Sequence, residues 1–275
     1  MIRDKFSAVW VSYSSISDYL KCPRAYFLSN VYRNPETNKK IALMSPALAL
    51  GQSVHDVIET LSKLPVEDRF AKPLSEVFEK SWENVRGTRG GFRDDTEEHN
   101  HRQRGLDMVA RIMKHPGPLS RKAVKIRQDL PYFWLSEEEN IILCGKIDWL
   151  EYLPDSDSVR IIDFKTGKFD EDRQSLQLPI YVMLAGNTQT KPVTGISYWY
   201  LDRDDEPVDL PMPDLDAAAK SIFDISRKIA LARKLDHFKC HLKDGCRACR
   251  PLEAVVAGRA QKVGVDSFGR EVYIL

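Results

Sequence analysis

Two runs of apolar, β-branched and aromatic residues, Ile142 to Trp149 and Val159 to Gly167, carry two aspartates and a lysine where charge is expensive unless something compensates it. Between them, Pro154-Asp155-Ser156-Asp157-Ser158 is a cluster of turn formers, so the pair reads as a β-hairpin. With the turn centred on Pro154 to Asp157, residues whose numbers sum to 311 face each other, and Asp148 lies opposite Asp163. Side chains alternate along a strand, so Asp163 and Lys165 share one face and Phe164 takes the other. Two neighbouring carboxylates repel, and a divalent cation between them reverses that. Spacing alone leaves two readings open, a metal site or a buried Asp–Lys ion pair in an ordinary sheet.

Upstream, Gly51 opens a helical segment in which His55 and Glu59 fall four apart on one face. An imidazole there can complete a carboxylate site for Mg or Mn, although a single His on a helix is also an ordinary surface or core residue. Downstream, Leu176, Ile180, Met183 and Leu184 form an apolar stripe that leaves Gln177 and Tyr181 on an adjacent face. Pro179 is tolerated only in a first turn, which places the helix start between Ser175 and Leu178.

In order along the chain, Gly51-x-x-x-His55, Gly145-x-x-Asp148, Asp163-x-Lys165-Thr166-Gly167 and Gln177-x-x-x-Tyr181 resemble the motifs of the RecB-type branch of the PD-(D/E)XK nucleases. The opening phrase Ser14 to Leu28, with Cys22-Pro23 at its centre, is similar to the start of that branch. The resemblance implies an α/β fold with an α/β/α restriction-endonuclease-like core, in one nuclease domain over residues 1–275. It implies a Mg- or Mn-dependent deoxyribonuclease in which His55, Asp148, Asp163 and the main-chain carbonyl of Phe164 hold metal. Lys165 would orient the attacking water, Gln177 and Tyr181 would position the lysine or the DNA backbone, and Glu59 would support His55.

Five cysteines add a second signal: Cys240, Cys246 and Cys249 are clustered, Cys22 lies near the other end, and Cys144 sits in a strand. Four soft thiolates suit an iron-sulfur cluster or zinc. A disulfide framework is not expected, because no secretory signal precedes them and the chain is long enough to build its own core. The layout resembles RecB-like nucleases that staple their chain ends with a [4Fe-4S] cluster, AddB-type helicase-nuclease subunits and CRISPR-associated nucleases among them. Their tail reads Cys-x2-Cys-x5-Cys, whereas this chain runs the intervals in the opposite order, which leaves zinc as the alternative. Cys144 reads as a small buried hydrophobe.

A formal net charge of +1 does not announce nucleic acid, but its distribution is uneven. Six basic residues and no acid lie between Met108 and Gln128, and eight against two acids between Arg227 and Arg250. Either stretch could line a phosphate channel or be a solvated helix face. Arg86 to Arg93, Gly-rich and basic with Phe92, reads as a mobile DNA-contacting loop or as disorder.

The expected elements are helices over about 14–30, 50–64 and 215–235, a helical insertion over about 65–120, strands near 124–135, 141–152, 159–165 and 195–202, and a terminal hairpin turning at Ser267 to Gly269. Neither Gly-Lys pair is followed by Ser or Thr, so the chain has no phosphate-binding ATP loop and no built-in motor. The expectation is a cytoplasmic enzyme without membrane spans, an exonuclease on single-stranded ends in repair, recombination or CRISPR adaptation, either stand-alone or the nuclease partner of a separate helicase or integrase. The alternative is a DNA-binding or assembly subunit with little cleavage of its own.

Overall fold

The computed structural model describes residues 4–275. From the N-terminus run β1 (Val9–Val11), α1 (Tyr13–Lys21), α2 (Pro23–Tyr26), β2 (Ile41–Leu43), α3 (Pro46–Lys63), α4 (Leu74–Trp82) and α5 (Asp95–Lys114). The middle contributes β3 (Tyr132–Ser136), β4 (Ile141–Cys144), β5 (Trp149–Leu153), β6 (Ser158–Lys165), α6 (Gln177–Thr188) and β7 (Val193–Tyr200). The last part holds β8 (Val208–Leu210), α7 (Leu215–Lys234), α8 (Arg250–Val256), β9 (Gln261–Val265) and β10 (Glu271–Ile274).

The central sheet runs β5-β6-β7-β8, with β6 and β7 parallel and both outer pairs antiparallel. Its strands show period-2 alternation between two apolar cores. Leu150, Val159 and Ile161 join Ile180 and Leu184 of α6 and Ile222 and Ile229 of α7. Trp149, Ile162, Phe164 and Trp199 instead pack on Leu50 and Val54 of α3, Phe78 and Trp82 of α4 and Met108 of α5. The result is the expected α/β/α sandwich. The α4–α5 contact is close because residue 105 is glycine: a Cβ there would stand 2.2 Å from the Phe78 ring.

The β5–β6 register pairs Trp149 with Ile162 and Leu153 with Ser158, the register read from the sequence. Asp157 closes the turn in a left-handed conformation at φ 47°, which aspartate tolerates better than most residues. Other expectations needed correction. The single strand over 141–152 is two: β4 pairs with β1 and β3 in a separate sheet, and the chain crosses at Gly145 to Asp148 into the central one. Gly145 makes the crossing possible, since a Cβ would press within 3.0 Å of Leu184. The strand expected over 124–135 is regular only from Tyr132, its start being reduced to one bridge between Ala123 and Glu151. The helix over 14–30 breaks at Cys22, which is extended at φ −170° and ψ 119° because the ring of Pro23 disfavours helical backbone in the residue before it. Arg86 to Arg93 holds a short 3-10 turn, and Phe92 is buried against Trp82.

A third sheet, β2-β10-β9, joins distant parts of the chain, with β2 and β10 parallel. Its anchor is Glu271, whose fully buried carboxylate pairs with Lys262 and accepts hydrogen bonds from Asn34 Nδ2 (2.8 Å) and the Tyr273 hydroxyl (3.0 Å). The Lys262 partner above all, against the opposing effect of burial, holds this carboxyl down to about 2. A depressed carboxyl stabilises the fold above its unfolded pKa of 4.5 and loses that contribution as pH falls toward 2. Glu271→Gln is therefore expected to flatten the fall in melting temperature between pH 4.5 and 2 relative to wild type. Parallel pH profiles for the two proteins would remove this role.

Candidate active site

A cavity of about 530 Å³ opens at the end of β6 and collects residues from five elements. Gly51 and His55 reach it from α3, Asp163 and Lys165 from β6, Gln177 and Tyr181 from α6, and Arg270 with Val272 from the C-terminal hairpin and β10. Asp148 arrives from the crossover just before β5. Gly51 packs closely on the loop after β6, where a Cβ would sit 3.3 Å from Thr166 Oγ1.

The charged groups are linked. Asp148 Oδ2 accepts the Phe164 N–H at 3.1 Å and lies 3.5 Å from His55 Nδ1. Asp163 Oδ1 accepts Gln177 Nε2 at 2.9 Å, and Gln177 Oε1 accepts Lys165 Nζ at 2.6 Å. The Gln177 amide also donates to the Tyr181 hydroxyl at 3.3 Å. One glutamine thus ties the second aspartate to the lysine. Lys165 Nζ also stands 2.9 Å from Asp163 Oδ2, 3.1 Å from Glu171 Oε1 and 4.9 Å from the centre of the Tyr198 ring.

The two aspartates titrate apart. Burial pushes Asp163 upward and the neighbouring Asp148 charge adds to it, so that despite Lys165 its carboxyl rises to about 7. Burial works the same way on Asp148, but the His55 imidazole, the Phe164 N–H and Lys165 outweigh it and hold Asp148 below the usual range. His55 is raised, the Asp148 charge overcoming burial, and Lys165 is raised by Asp163 and Glu171 against the same opposition. Asp163 Oδ2 is buried without a hydrogen bond. The Lys165 ammonium is that oxygen's ion-pair partner, and the two carboxylates with the imidazole form a donor set suited to a hard or borderline divalent cation. Phe164 borders the same cavity.

Glu59 does not support His55. Its carboxylate is engaged by Lys146 at 2.5 Å and Lys63 at 3.0 Å, one helical turn beyond His55 along the same face and outside the cavity lining. The carboxylate beside His55 is that of Asp148. Glu171 and Tyr198 were missed: Glu171 lies in an irregular loop, and Tyr198 reads as a core residue of β7. The hairpin wall was missed because nothing local links residues 266–272 to α3.

Asp148 also borders a second groove of about 200 Å³ that carries Lys63, Lys125 and Lys146. Of the basic run from Met108 to Gln128, Lys125 reaches this groove, whereas Arg111 is paired with Asp205 and Arg121 with the buried Glu151. In the run from Arg227 to Arg250, Arg227 is paired with Glu139.

The four cysteines Cys22, Cys240, Cys246 and Cys249 meet, all Sγ atoms lying within 4.8 Å of one another. None is in a disulfide. Backbone N–H groups point at the sulfurs, from Leu242 to Cys240 at 3.4 Å and from Cys246 to Cys249 at 3.2 Å. The backbone N–H of Cys249 foremost, with that of Ala248, lowers the Cys246 thiol to about 6, while burial pushes Cys22 up to about 12. An all-thiolate donor set of this kind fits zinc or an iron-sulfur cluster. Cys144 lies apart from this group, is buried, and is raised by that burial to about 11. Among the described residues no helix is long and apolar enough to cross a membrane.

A search of the curated proteins found no match. Among solved structures, the fold is similar to a Eubacterium rectale protein described as a "putative exonuclease", at a TM-score of 0.50 and 13% identity, covering 88% of this chain and 87% of that one. A sequence model of the PD-(D/E)XK nuclease superfamily matches residues 10–252, a span that contains His55, Asp148, Asp163, Lys165, Gln177 and all four clustered cysteines. On that match and this geometry, the chain belongs to the PD-(D/E)XK nuclease superfamily.

Proposed function

We propose that the chain is a RecB-like, metal-dependent deoxyribonuclease that degrades single-stranded DNA from an end. The strongest support is the hydrogen-bonded set Asp163, Gln177 and Lys165 facing the His55–Asp148 pair across one open cavity. His55, Asp148 and Asp163 would hold Mg or Mn, with the Phe164 carbonyl as a further oxygen donor. Such an ion, when bound, supplies a water of lowered pKa and offsets charge on the scissile phosphate. Lys165 contributes a compact positive charge where charge builds on the phosphate, and orients the attacking water. Gln177, which donates to the Tyr181 hydroxyl, and Glu171 would hold that ammonium in place with Asp163 serving as a ligand. Lys125 neutralises phosphate along the neighbouring groove, where Lys63 and Lys146 are paired with Glu59.

The cysteine group is read as a metal centre that staples the N-terminal segment to the C-terminal one. The resemblance favours [4Fe-4S]; the tight spacing, 3.8 Å between Cys246 and Cys249 Sγ, favours a single zinc ion, whose tetrahedral thiolates stand about 3.8 Å apart. Iron and zinc analysis of anaerobically purified protein, with absorbance near ~400 nm, separates the two. The same reading takes the nuclease as a cytoplasmic protein that works beside a separate helicase or integrase.

The test is a gel assay on single- and double-stranded DNA labelled at either end, with Mn, Mg or EDTA. Linear single strands are expected to shorten progressively in Mn or Mg, circular ones to persist, and EDTA to stop the reaction. No cleavage of any DNA under any metal would leave the assembly role in its place.

A further inference from the structure

We infer that two exposed phenylalanines in segments that border the cavity, Phe169 and Phe268, form an aromatic rim that stacks on unpaired nucleobases and thereby selects single-stranded DNA. This rests on the nuclease reading above and deepens it by naming what admits the strand.

Three phenyl rings stand out by exposure: Phe6 at 91%, Phe169 at 88% and Phe268 at 82%. Leaving a ring that size in water forgoes most of what burying it would contribute. Two of the three lie within two residues of the cavity wall. Phe169 follows Gly167, and Phe268 falls midway between Asp266 and Arg270, all three being wall residues. The rings come from separate stretches of that wall, the loop after β6 and the turn between β9 and β10.

Neither ring is on a loose tether. Asp266 organises the hairpin tip: its Oδ1 accepts the N–H groups of Phe268 (3.0 Å) and Arg270 (2.9 Å), and its Oδ2 accepts Arg270 Nε at 2.7 Å. Gly269, at φ 76°, completes the turn, and the Arg270 guanidinium lies 5.4 Å from the Phe268 ring centre. Behind Phe169, Arg203 donates to the Lys168 carbonyl at 3.2 Å and pairs with Asp170. A preset tip bearing an aromatic face beside a guanidinium suits a nucleotide, whose base takes the ring and whose phosphate takes the cation. A duplex keeps its base faces covered by stacking, so only unpaired nucleotides satisfy such a rim. The hairpin, residues 261–274, lies beyond the residues 10–252 matched by the superfamily. Phe268 thus lies outside the matched stretch, whereas Phe169 lies within it.

The test compares equilibrium binding of two labelled oligonucleotides of equal length, oligo-dT and its abasic counterpart, in buffer without added divalent cation. Wild type is expected to prefer oligo-dT by tenfold or more; Phe169→Ala and Phe268→Ala are each expected to weaken oligo-dT binding about tenfold and to leave abasic binding unchanged. Phe268→Trp should restore the preference, and Phe6→Ala, away from the cavity, should leave it intact. Equal binding of the two oligonucleotides by wild type, or an equal loss for both in the alanine variants, would overturn the rim. Cleavage in Mn is read on the same preparations, so a failed rim with cleavage retained leaves the nuclease reading standing, and absent cleavage sinks that reading whatever the binding shows.

Discussion

Asp163→Asn is expected to lower the cleavage rate by about 10³-fold or more while leaving the protein at least as stable as wild type above neutral pH. Loss of activity follows from geometry. Asp163 touches both Gln177 and Lys165, and its buried Oδ2 faces the Lys165 ammonium at 2.9 Å. An amide can keep the Gln177 contact, since its oxygen still accepts from Nε2, but it offers a cation no charge. Stability moves the other way because this carboxyl is costly to ionise. Its pKa rises from 3.8 to about 7, through burial and the Asp148 charge. A raised pKa means that stability is fully present below the unfolded value and is lost as pH rises through the folded one. Without metal, wild type should therefore lose melting temperature between about pH 4 and 7 at this site, and the asparagine variant should not. Melting curves at pH 5 and 8, with cleavage assayed in Mn, check both halves. A variant cleaving within about a hundredfold of wild type would remove Asp163 from the metal site.

The site's axis was legible in the sequence because the β5–β6 hairpin has a short turn and a strict alternation, which fix register without tertiary help. The spacing of Gln177 and Tyr181 was equally local, one helical turn on a helix whose start Pro179 limits. What stayed hidden depends on approach between distant segments. β1 and β2 are three residues each and carry no periodicity, and each exists because a parallel partner far along the chain supplies its hydrogen bonds. Glu171 contacts Lys165 through a loop whose path is held by the Tyr200 hydroxyl on the Glu171 N–H at 3.1 Å, a contact no local pattern encodes. Glu59 shows the opposite failure. Its i,i+4 spacing from His55 is real, but two lysines from either side of the cavity edge win its carboxylate.

Cys22→Ser is expected to abolish stoichiometric metal binding, to lower the melting temperature by roughly 10 °C, and to expose the C-terminal segment to protease first. The local core explains the size of the effect. Its buried members are Cys22, Ala25, Leu28, Ile41, Cys246, Cys249, Leu252 and Val255, so three of eight are cysteines and only a few large side chains are present. A core this small does not hold a separate unit together without a staple. Among the described residues Cys22 is the member of the cysteine group from the N-terminal half and is fully buried in an extended residue between two helices, so a serine there leaves the three later thiols with no thiol partner across the junction. The damage should reach the nuclease site without touching it. β2 and Tyr273 of β10 pack on this core, and the same sheet carries Arg270 and Val272 into the cavity. Cleavage should thus fall along with metal content, although every motif residue is intact. Gly245→Ala should give a weaker form of the same loss, since Gly245 has φ 77° and a Cβ would lie 3.2 Å from Cys249 Sγ. Cys144→Ser is the control that separates losing a ligand from losing a buried thiol: it should cost some packing and keep the metal. Full metal content and an unchanged melting temperature in Cys22→Ser would show that the sulfurs meet without sharing an ion.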